Sequence, residues 1–224
     1  MRYLPIMLDL KGRKVVVVGG GKIAAHKSIG LVRAEAAITV IAPQLGRCMS
    51  RLVKNGWVRH LAREYTAGDL AGAFMAIAAT DSPEVNRAVA REAATGGILV
   101  NCIDAREMSS FHSPAVVRRG DLVLVAATAG AAPSLARRIR RELAAAYGRE
   151  YGLTLQLIGA VREKLLTRKG NCTYSKKILR ELADSNLPAL FKSGSVADID
   201  HLLQELCGAG FSLAELGLRK EDSQ

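Results

Sequence analysis

A chain of 224 residues with 49% apolar side chains has room for one large domain, or for a nucleotide-binding domain of ordinary size with a smaller companion. Its formal charge of +11 suits an anionic partner, but the basic residues are scattered, only four Phe accompany them, and no zinc-finger spacing, basic zipper or base-stacking module appears. That pattern argues against nucleic acid and for a multiply charged small molecule. Cys48, Cys102, Cys172 and Cys207 form no C-x-x-C pair, which excludes a disulfide scaffold or zinc motif of that kind. No stretch reaches about 18 uninterrupted apolar residues. Met1 to Leu10 has no long apolar core or cleavage site, so the expectation is a cytoplasmic protein with no membrane partner.

Leu4, Ile6, Met7 and Leu8 form an apolar lead-in, expected as an edge strand or an extended arm lying on a sheet, before a turn at Gly12-Arg13. Lys14 to Val18 reads as a buried strand that stops at Gly19-Gly20-Gly21, and a helix pattern runs from Lys22 to Ala34. A strand, a turn that glycines make cheaply and a helix whose first N–H groups lack partners make a place for an anion. The spacing Gly19, Gly21, Ala24 fits G-x-G-x-x-G/A, in which Gly21 lets the backbone approach a pyrophosphate and Ala24 lets helix and strand pack closely. The competing reading is a glycine-rich turn in some other α/β protein.

Ala37 to Ala42 is a second strand closed by Pro43. The commonest version of this fold ends that strand in an acid that takes the ribose hydroxyls, whereas here Ala42, Pro43 and Gln44 stand there. NAD is the expected cofactor with NADP left open; Arg47 or Lys54 can tolerate a phosphate or simply be solvated. Gln44 to Lys54 reads as a helix, Trp57 to Leu61 as a third strand, and Asp69 to Ala71 as a short turn of helix. Phe74 to Ala79 is a buried strand ending in Thr80-Asp81, with Asp81 the expected cap of a helix that starts near Pro83 and reaches about Ala94. Gly96-Gly97 ends it, and Ile98 to Ile103 is a fifth strand that runs into Asp104. Repeated strand-helix units with short links predict a Rossmann-like parallel sheet covered by helices.

The pattern then changes. Pro114 to Arg119, a turn at Gly120-Asp121 and Leu122 to Ala127 read as a hairpin. The small-residue loop Thr128 to Ala132 leads to a helix from Pro133 to about Tyr147. From Tyr151 everything reads as helix: Thr154 to Leu166, Tyr174 to Asp184, Pro188 to Phe191, and Val196 to Cys207 capped by Ser195. Gly148 to Gly152 is a hinge candidate, and Arg219 to Gln224 is expected to fray.

In a parallel sheet ligands collect beyond the carboxyl ends of the strands, where Gly19 to Gly21, Thr80, Asp81 and Asn101 to Asp104 converge. The cofactor set read from this is Gly19, Gly20, Gly21, Lys22, Ile23, Ala24, Pro43, Thr80 and Asp81. Asp104 follows an apolar run and faces the expected nicotinamide position, where a carboxylate can take a proton while hydride leaves; the plain alternative is a turn acid. His112 is either a second acid/base group, a weak metal ligand or a surface histidine. His26, His60, His112 and His201 show no metal-ligand spacing, so no metal site is named, and His26 either meets phosphate or caps a packing seam. The Thr128 to Ala132 loop precedes a helix N-terminus and can hold a second anion through backbone N–H groups. On that helix Arg137, Arg138, Arg140 and Arg141 divide between anion contacts, solvent and subunit contacts, and Phe111 is read as core.

Taken together, Leu4-Pro5-Ile6, Gly19-Gly20-Gly21 with Ala24 and Lys27, Ala78-Ala79-Thr80-Asp81, Asn86, Asn101 to Asp104, Phe111-His112-Ser113-Pro114-Ala115, and Pro133, Leu135, Ala136 and Ile139-Arg140 resemble the siroheme-synthase dehydrogenase family, over about Met1 to Tyr147. The resemblance implies NAD-dependent oxidation of precorrin-2 to sirohydrochlorin, with ferrous ion insertion in some relatives, in a homodimer joined by the hairpin region and the helix after it; ferrous or cobaltous ion is the metal substrate considered for this chain. It implies acid/base work for Asp104; His112 is the second catalytic candidate from the residues themselves, and Asn101, Thr128, Gly130, Arg137 and Arg140 are the expected substrate contacts. It divides the chain into a dinucleotide-binding part (1–110), a dimerisation region (111–150) and a helical part (151–224). The chain departs from the family in carrying His26 for a frequent Arg, and Ala129, Gly130, Ala131 and Ala132 where two glycines and a Thr/Lys-Ser pair are usual. No methyltransferase core is expected in the last segment. The competing readings are a chelatase with a degenerate dinucleotide site and a non-enzymatic nucleotide or redox sensor.

Overall fold

The structure, a computed structural model, describes residues 3–167 and 172–218, with side chains from 176 onward in the second stretch. The expected fraying of Arg219 to Gln224 lies outside the described residues. The chain divides into two compact units, Met1–Ser113 and Pro114–Gln224.

The first unit is a parallel sheet of β1 (Lys14–Val18), β2 (Ala37–Ile41), β3 (Val58–Leu61), β4 (Met75–Ala78) and β5 (Leu99–Cys102) in the order β3-β2-β1-β4-β5. Its helices are α1 (Lys22–Arg33), α2 (Arg47–Lys54) and α3 (Pro83–Thr95). Alternation explains the unbroken apolar runs: Val15 and Val17 pack with Ala24, Ala25 and Leu31 of α1 on one face, while Val16 and Val18 pack with Val89, Ala90 and Ala93 of α3 on the other. A sheet covered on both sides selects apolar residues at every position, not every second one. The register pairs Val18 with both Ile41 and Ala78, so β1, β2 and β4 end level, and the strand order reverses between β1 and β4. That reversal is where this topology opens a ligand crevice.

The open edge of β5 is finished by side chains. The N–H groups of Val100 and Cys102 donate to Ser110 Oγ (2.8 Å) and Ser109 Oγ (2.9 Å), and the Ser110 N–H returns a bond to the Val100 carbonyl (2.9 Å).

Four expectations change in this unit. Leu4, Ile6, Met7 and Leu8 form no strand and lie exposed, and burial starts only at Leu10. The second helix begins at Arg47, not Gln44, because residues 44–46 brace the glycine loop: the Gly46 N–H donates to the Gly20 carbonyl (2.9 Å). Asp69 to Ala71 forms turns, where the Thr66 N–H donates to the Asp69 carboxylate (2.8 Å). Asp81 does not cap α3. Pro83 occupies the first helical position, so the cap falls to Ser82, whose Oγ accepts the Val85 N–H (3.3 Å).

The second unit opens with the antiparallel hairpin β6 (Ala115–Arg119) and β7 (Leu122–Ala126). Gly120 takes φ +58° at the first turn position, as a two-residue turn with glycine leading requires. Among the described residues five helices follow: α4 (Pro133–Ala146), α5 (Arg149–Thr167), α6 (Cys172–Asp184), α7 (Leu187–Ser193) and α8 (Val196–Cys207). Leu157, Val161, Ile178, Leu182, Leu187, Ile199, Leu203 and Phe211 make its core. Arg119 closes the end of α4 by donating to the Tyr147 (3.0 Å) and Ala144 (2.9 Å) carbonyls, a cation at a helix C-terminus. Helix α5 starts five residues before the expected Thr154, and Gly152 sits within it because a Cβ there would collide with the Arg119 carbonyl. Ser195 precedes α8 without donating or accepting as a side-chain cap.

Candidate active site

The three glycines have three different reasons. Gly19 has φ +119°, and a Cβ on it would overlap the Ala79 carbonyl at the end of β4; a Cβ on Gly20 would overlap the Gln44 carbonyl after β2. Gly21 is free of both constraints: nothing lies within 4 Å of the place its Cβ would take. It is the extended residue before α1, no side chain caps the helix, and Lys22 and Ile23 beside it are exposed. The first two glycines therefore press the loop against the strand ends, and the third turns open backbone toward the ligand side. Ala24 is fully buried beneath them. The residues present fit a dinucleotide, with pyrophosphate against the N–H groups that open α1. Pro43 lies exposed after β2, and among the described residues no acid closes that strand.

Two strands away a buried amide organises the other half. Asn86 of α3 is completely buried and uses its whole hydrogen-bonding capacity. Its Oδ1 accepts from the Thr80 N–H (3.0 Å) and Oγ1 (2.9 Å), and its Nδ2 donates to the Thr80 carbonyl (3.0 Å) and to Asp104 Oδ2 (3.0 Å). The Cys102 thiol donates to Asp104 Oδ1 (3.1 Å). Asp104 is thus gripped at both oxygens while remaining exposed. The Asn86 amide, with Cys102 and the nearby charge of Arg87 helping, holds its carboxyl below the usual carboxylate range. Burial, and the carboxylate beside it, push the Cys102 thiol up, so the thiol stays a neutral donor. At neutral pH Asp104 is an anchored base.

Asn101 is buried next to it on β5; its Nδ2 donates to the Phe111 carbonyl (3.1 Å), and its Oδ1 has no donor among the described residues. His112 is half-buried, with Nε2 3.1 Å from the Tyr3 hydroxyl. Thr80 lies half-buried, and Asp81 exposed, at the exit of β4. His26 is exposed on α1, off the packing seam. In the second unit, Thr128 Oγ1 accepts the Ala132 N–H (3.3 Å), Ala129 and Gly130 take φ +48° and +76°, and no side chain caps α4. Arg137 and Arg140 are exposed on that helix, while Arg138 pairs with Glu142 (2.8 Å). Among the described residues no group of three or more His, Cys, Asp or Glu could hold a metal ion, and no helix is long and apolar enough to cross a membrane.

Sequence reading missed the grip on Asp104. Asn86 carried a signal, since it stands in a stripe with Val89, Ala90 and Ala93 that is otherwise apolar, and a polar residue there needs partners. Cys102 carried none, because a thiol in an apolar strand reads as core.

A family model described as NAD(P)-binding matches residues 6–115. The siroheme synthase of Methylobacillus flagellatus is 40% identical over 171 residues, 75% of this chain and 37% of that protein. The siroheme synthase of Azotobacter vinelandii is 41% identical over 214 residues, 93% of this chain and 45% of that protein. The chain thus spans less than half the length of these relatives. Among solved structures, that of SirC, a precorrin-2 dehydrogenase, superposes with a TM-score of 0.77 at 29% identity, covering 91% of this chain and 98% of the other. With its NAD(P)-binding Rossmann-like sheet, its hairpin and its helical bundle, the chain belongs to the siroheme synthase / precorrin-2 dehydrogenase family.

Proposed function

We propose that this chain oxidises precorrin-2 to sirohydrochlorin with NAD(P), in the cytoplasm and as a homodimer. The observation that carries the reading is the ionised, exposed Asp104 at the end of β5, in the same sheet as a glycine loop shaped for pyrophosphate. Removing two hydrogens from the macrocycle sends one away as hydride and one as a proton. Bound nicotinamide supplies the hydride acceptor. Asp104 receives the proton, and the lowered pKa lets it pass that proton to water readily once product has formed. Asn86 and Cys102 keep the carboxylate from swinging away, and His112 is a second proton-carrying group of the same proposal.

The cofactor set of Gly19 to Ala24, Pro43, Thr80 and Asp81, and the substrate contacts of Asn101, Thr128, Gly130, Arg137 and Arg140, belong to this reading, as does dimerisation through 111–150. A substrate with eight carboxylates gives a use to the surplus of 11 positive charges. Metal insertion is a second reading that the same observation favours, since an ionised Asp104 can accept the pyrrole protons displaced by ferrous or cobaltous ion. An anaerobic absorbance time course with precorrin-2, with and without NAD or NADP, tests the first reading. Appearance of sirohydrochlorin only with dinucleotide supports it, and no change with either dinucleotide ends it. Adding ferrous or cobaltous ion afterwards tests the second against the protein-free rate.

A further inference from the structure

Lys27 is half-buried on α1, and its Nζ donates to Ser113 Oγ (3.0 Å). Among the described residues no carboxylate lies within 4.0 Å of it. The paired cations Lys11, Arg138 and Lys177 sit at the surface, where an ion pair matters least, whereas this one is half-buried and has a single neutral partner, the exposed Ser113 hydroxyl. Burial accordingly pushes the Lys27 ammonium below its ordinary value. A half-buried ammonium with no carboxylate from its own chain, meeting an exposed hydroxyl, is placed to take an anion from outside the chain.

The surroundings suit that anion. The Ser113 hydroxyl accepts from Lys27, which leaves its own O–H to donate, and nothing among the described residues accepts it. The strand exit also fixes this serine, because Asn101 holds the carbonyl of Phe111 two residues earlier. Helical side chains lean toward the helix N-terminus, so the Lys27 stem leans toward the glycine loop, roughly 9 Å away along the axis for six residues at 1.5 Å each. The open N–H groups at that end add a field of the same sign.

We propose that Lys27 Nζ and Ser113 Oγ–H form an anionic-oxygen subsite that takes a carboxylate or a phosphate oxygen of a ligand bound at the glycine-loop end of α1. A carboxylate would come from the tetrapyrrole, and that source rests on the function proposed above. A phosphate would come from the dinucleotide, and that source does not.

The test titrates NAD and, anaerobically, sirohydrochlorin separately into the wild-type chain and into K27Q, K27R and S113A, and records thermal melting without ligand for these and for K27M. K27Q is expected to weaken one ligand by roughly ten- to hundredfold, S113A by less, and K27R little, with the lost factor shrinking as salt rises. Loss for NAD alone assigns the phosphate; loss for sirohydrochlorin alone assigns the carboxylate. Without ligand, K27M should melt at or close to the wild-type temperature, since it removes a half-buried charge that has no counter-charge in the chain. The proposal is overturned if K27Q binds both ligands as the wild type does, or if K27M and K27Q melt several degrees lower with both affinities unchanged, which is the behaviour of a mere clip on Ser113. A wild-type chain that binds NAD but not sirohydrochlorin ends the tetrapyrrole reading and leaves the NAD titration to decide Lys27. One that binds neither ends both.

Discussion

The loops at 19–21 and 128–132 both lead into helices without a side-chain cap, and they are built on opposite plans. At 19–21 the chain is pressed by its own sheet: two neighbouring carbonyls occupy the space of two Cβ atoms, so only glycine fits. At 128–132 the shape comes from within, from the Thr128 hydroxyl on the Ala132 N–H and two successive left-handed residues, one of them an alanine. The first loop has its geometry imposed by long-range packing and tolerates no side chain at its first two positions. The second is a local turn that carries a strained residue, so its side chains can change while its backbone donors stay. That difference lets the second loop carry Ala129, Ala131 and Ala132 while its backbone keeps its shape.

The largest effects should break the first loop. G19A and G20A each force a Cβ into a backbone carbonyl and are expected to cost at least about 3 kcal/mol in urea unfolding, with NAD binding lost. G21A is the sharpening control: with nothing to meet, it should change stability by no more than about 0.5 kcal/mol yet weaken NAD measurably. Equal destabilisation by all three would refute the division of labour among these glycines. Next, D104N should lower turnover by about 10²- to 10⁴-fold with the NAD affinity intact, since it removes the base and leaves the loop untouched. Unimpaired turnover would remove Asp104 from the chemistry.

N86A probes the grip on that carboxylate. A base must be ionised, so activity falls as pH drops through its pKa, and the Asn86 donor places that fall below the ordinary carboxylate range. Removing the donor should move the acidic limb of the pH–rate profile to higher pH, together with a loss of roughly 1 to 3 kcal/mol from the unpaired groups at Thr80. By linkage, the lowered pKa of Asp104 contributes stability above the ordinary carboxylate pKa, and that contribution fades as pH falls through the folded value. The smallest effect belongs to the second loop. A129G relieves a left-handed alanine and should raise the melting temperature slightly, by up to about 1 kcal/mol in equivalent stability, without altering NAD affinity.

The strands were legible because both sheet faces are covered, which writes each strand as a run such as Val15 to Val18, and because glycines punctuate the exits. The position of Asp104 followed from the same rule, being the first acid past an apolar run. Leu4 to Leu8 misled for a related reason: an apolar run announces burial only when something packs on it, and composition cannot say what that is. Asp81 and Ser82 are both competent caps, and Pro83, by fixing the first helical position, was the available arbiter. The early start of α5 was hidden because Gly152 reads as a break, while its real cause is the Arg119 carbonyl brought close by the hairpin. Nothing local records a contact made across some thirty residues.

The two serine hydroxyls on β5 bear on how the protein behaves in a crowded solution. A sheet whose last strand offers free donors is a template on which another chain can grow, and proteins that leave such a template exposed tend to assemble edge to edge. Here Ser109 and Ser110 occupy those donors with oxygens that belong to the same chain and cannot propagate a ladder. Replacing both with alanine would cost little bulk and no charge, but it would reopen the template and turn a discrete particle into one able to polymerise.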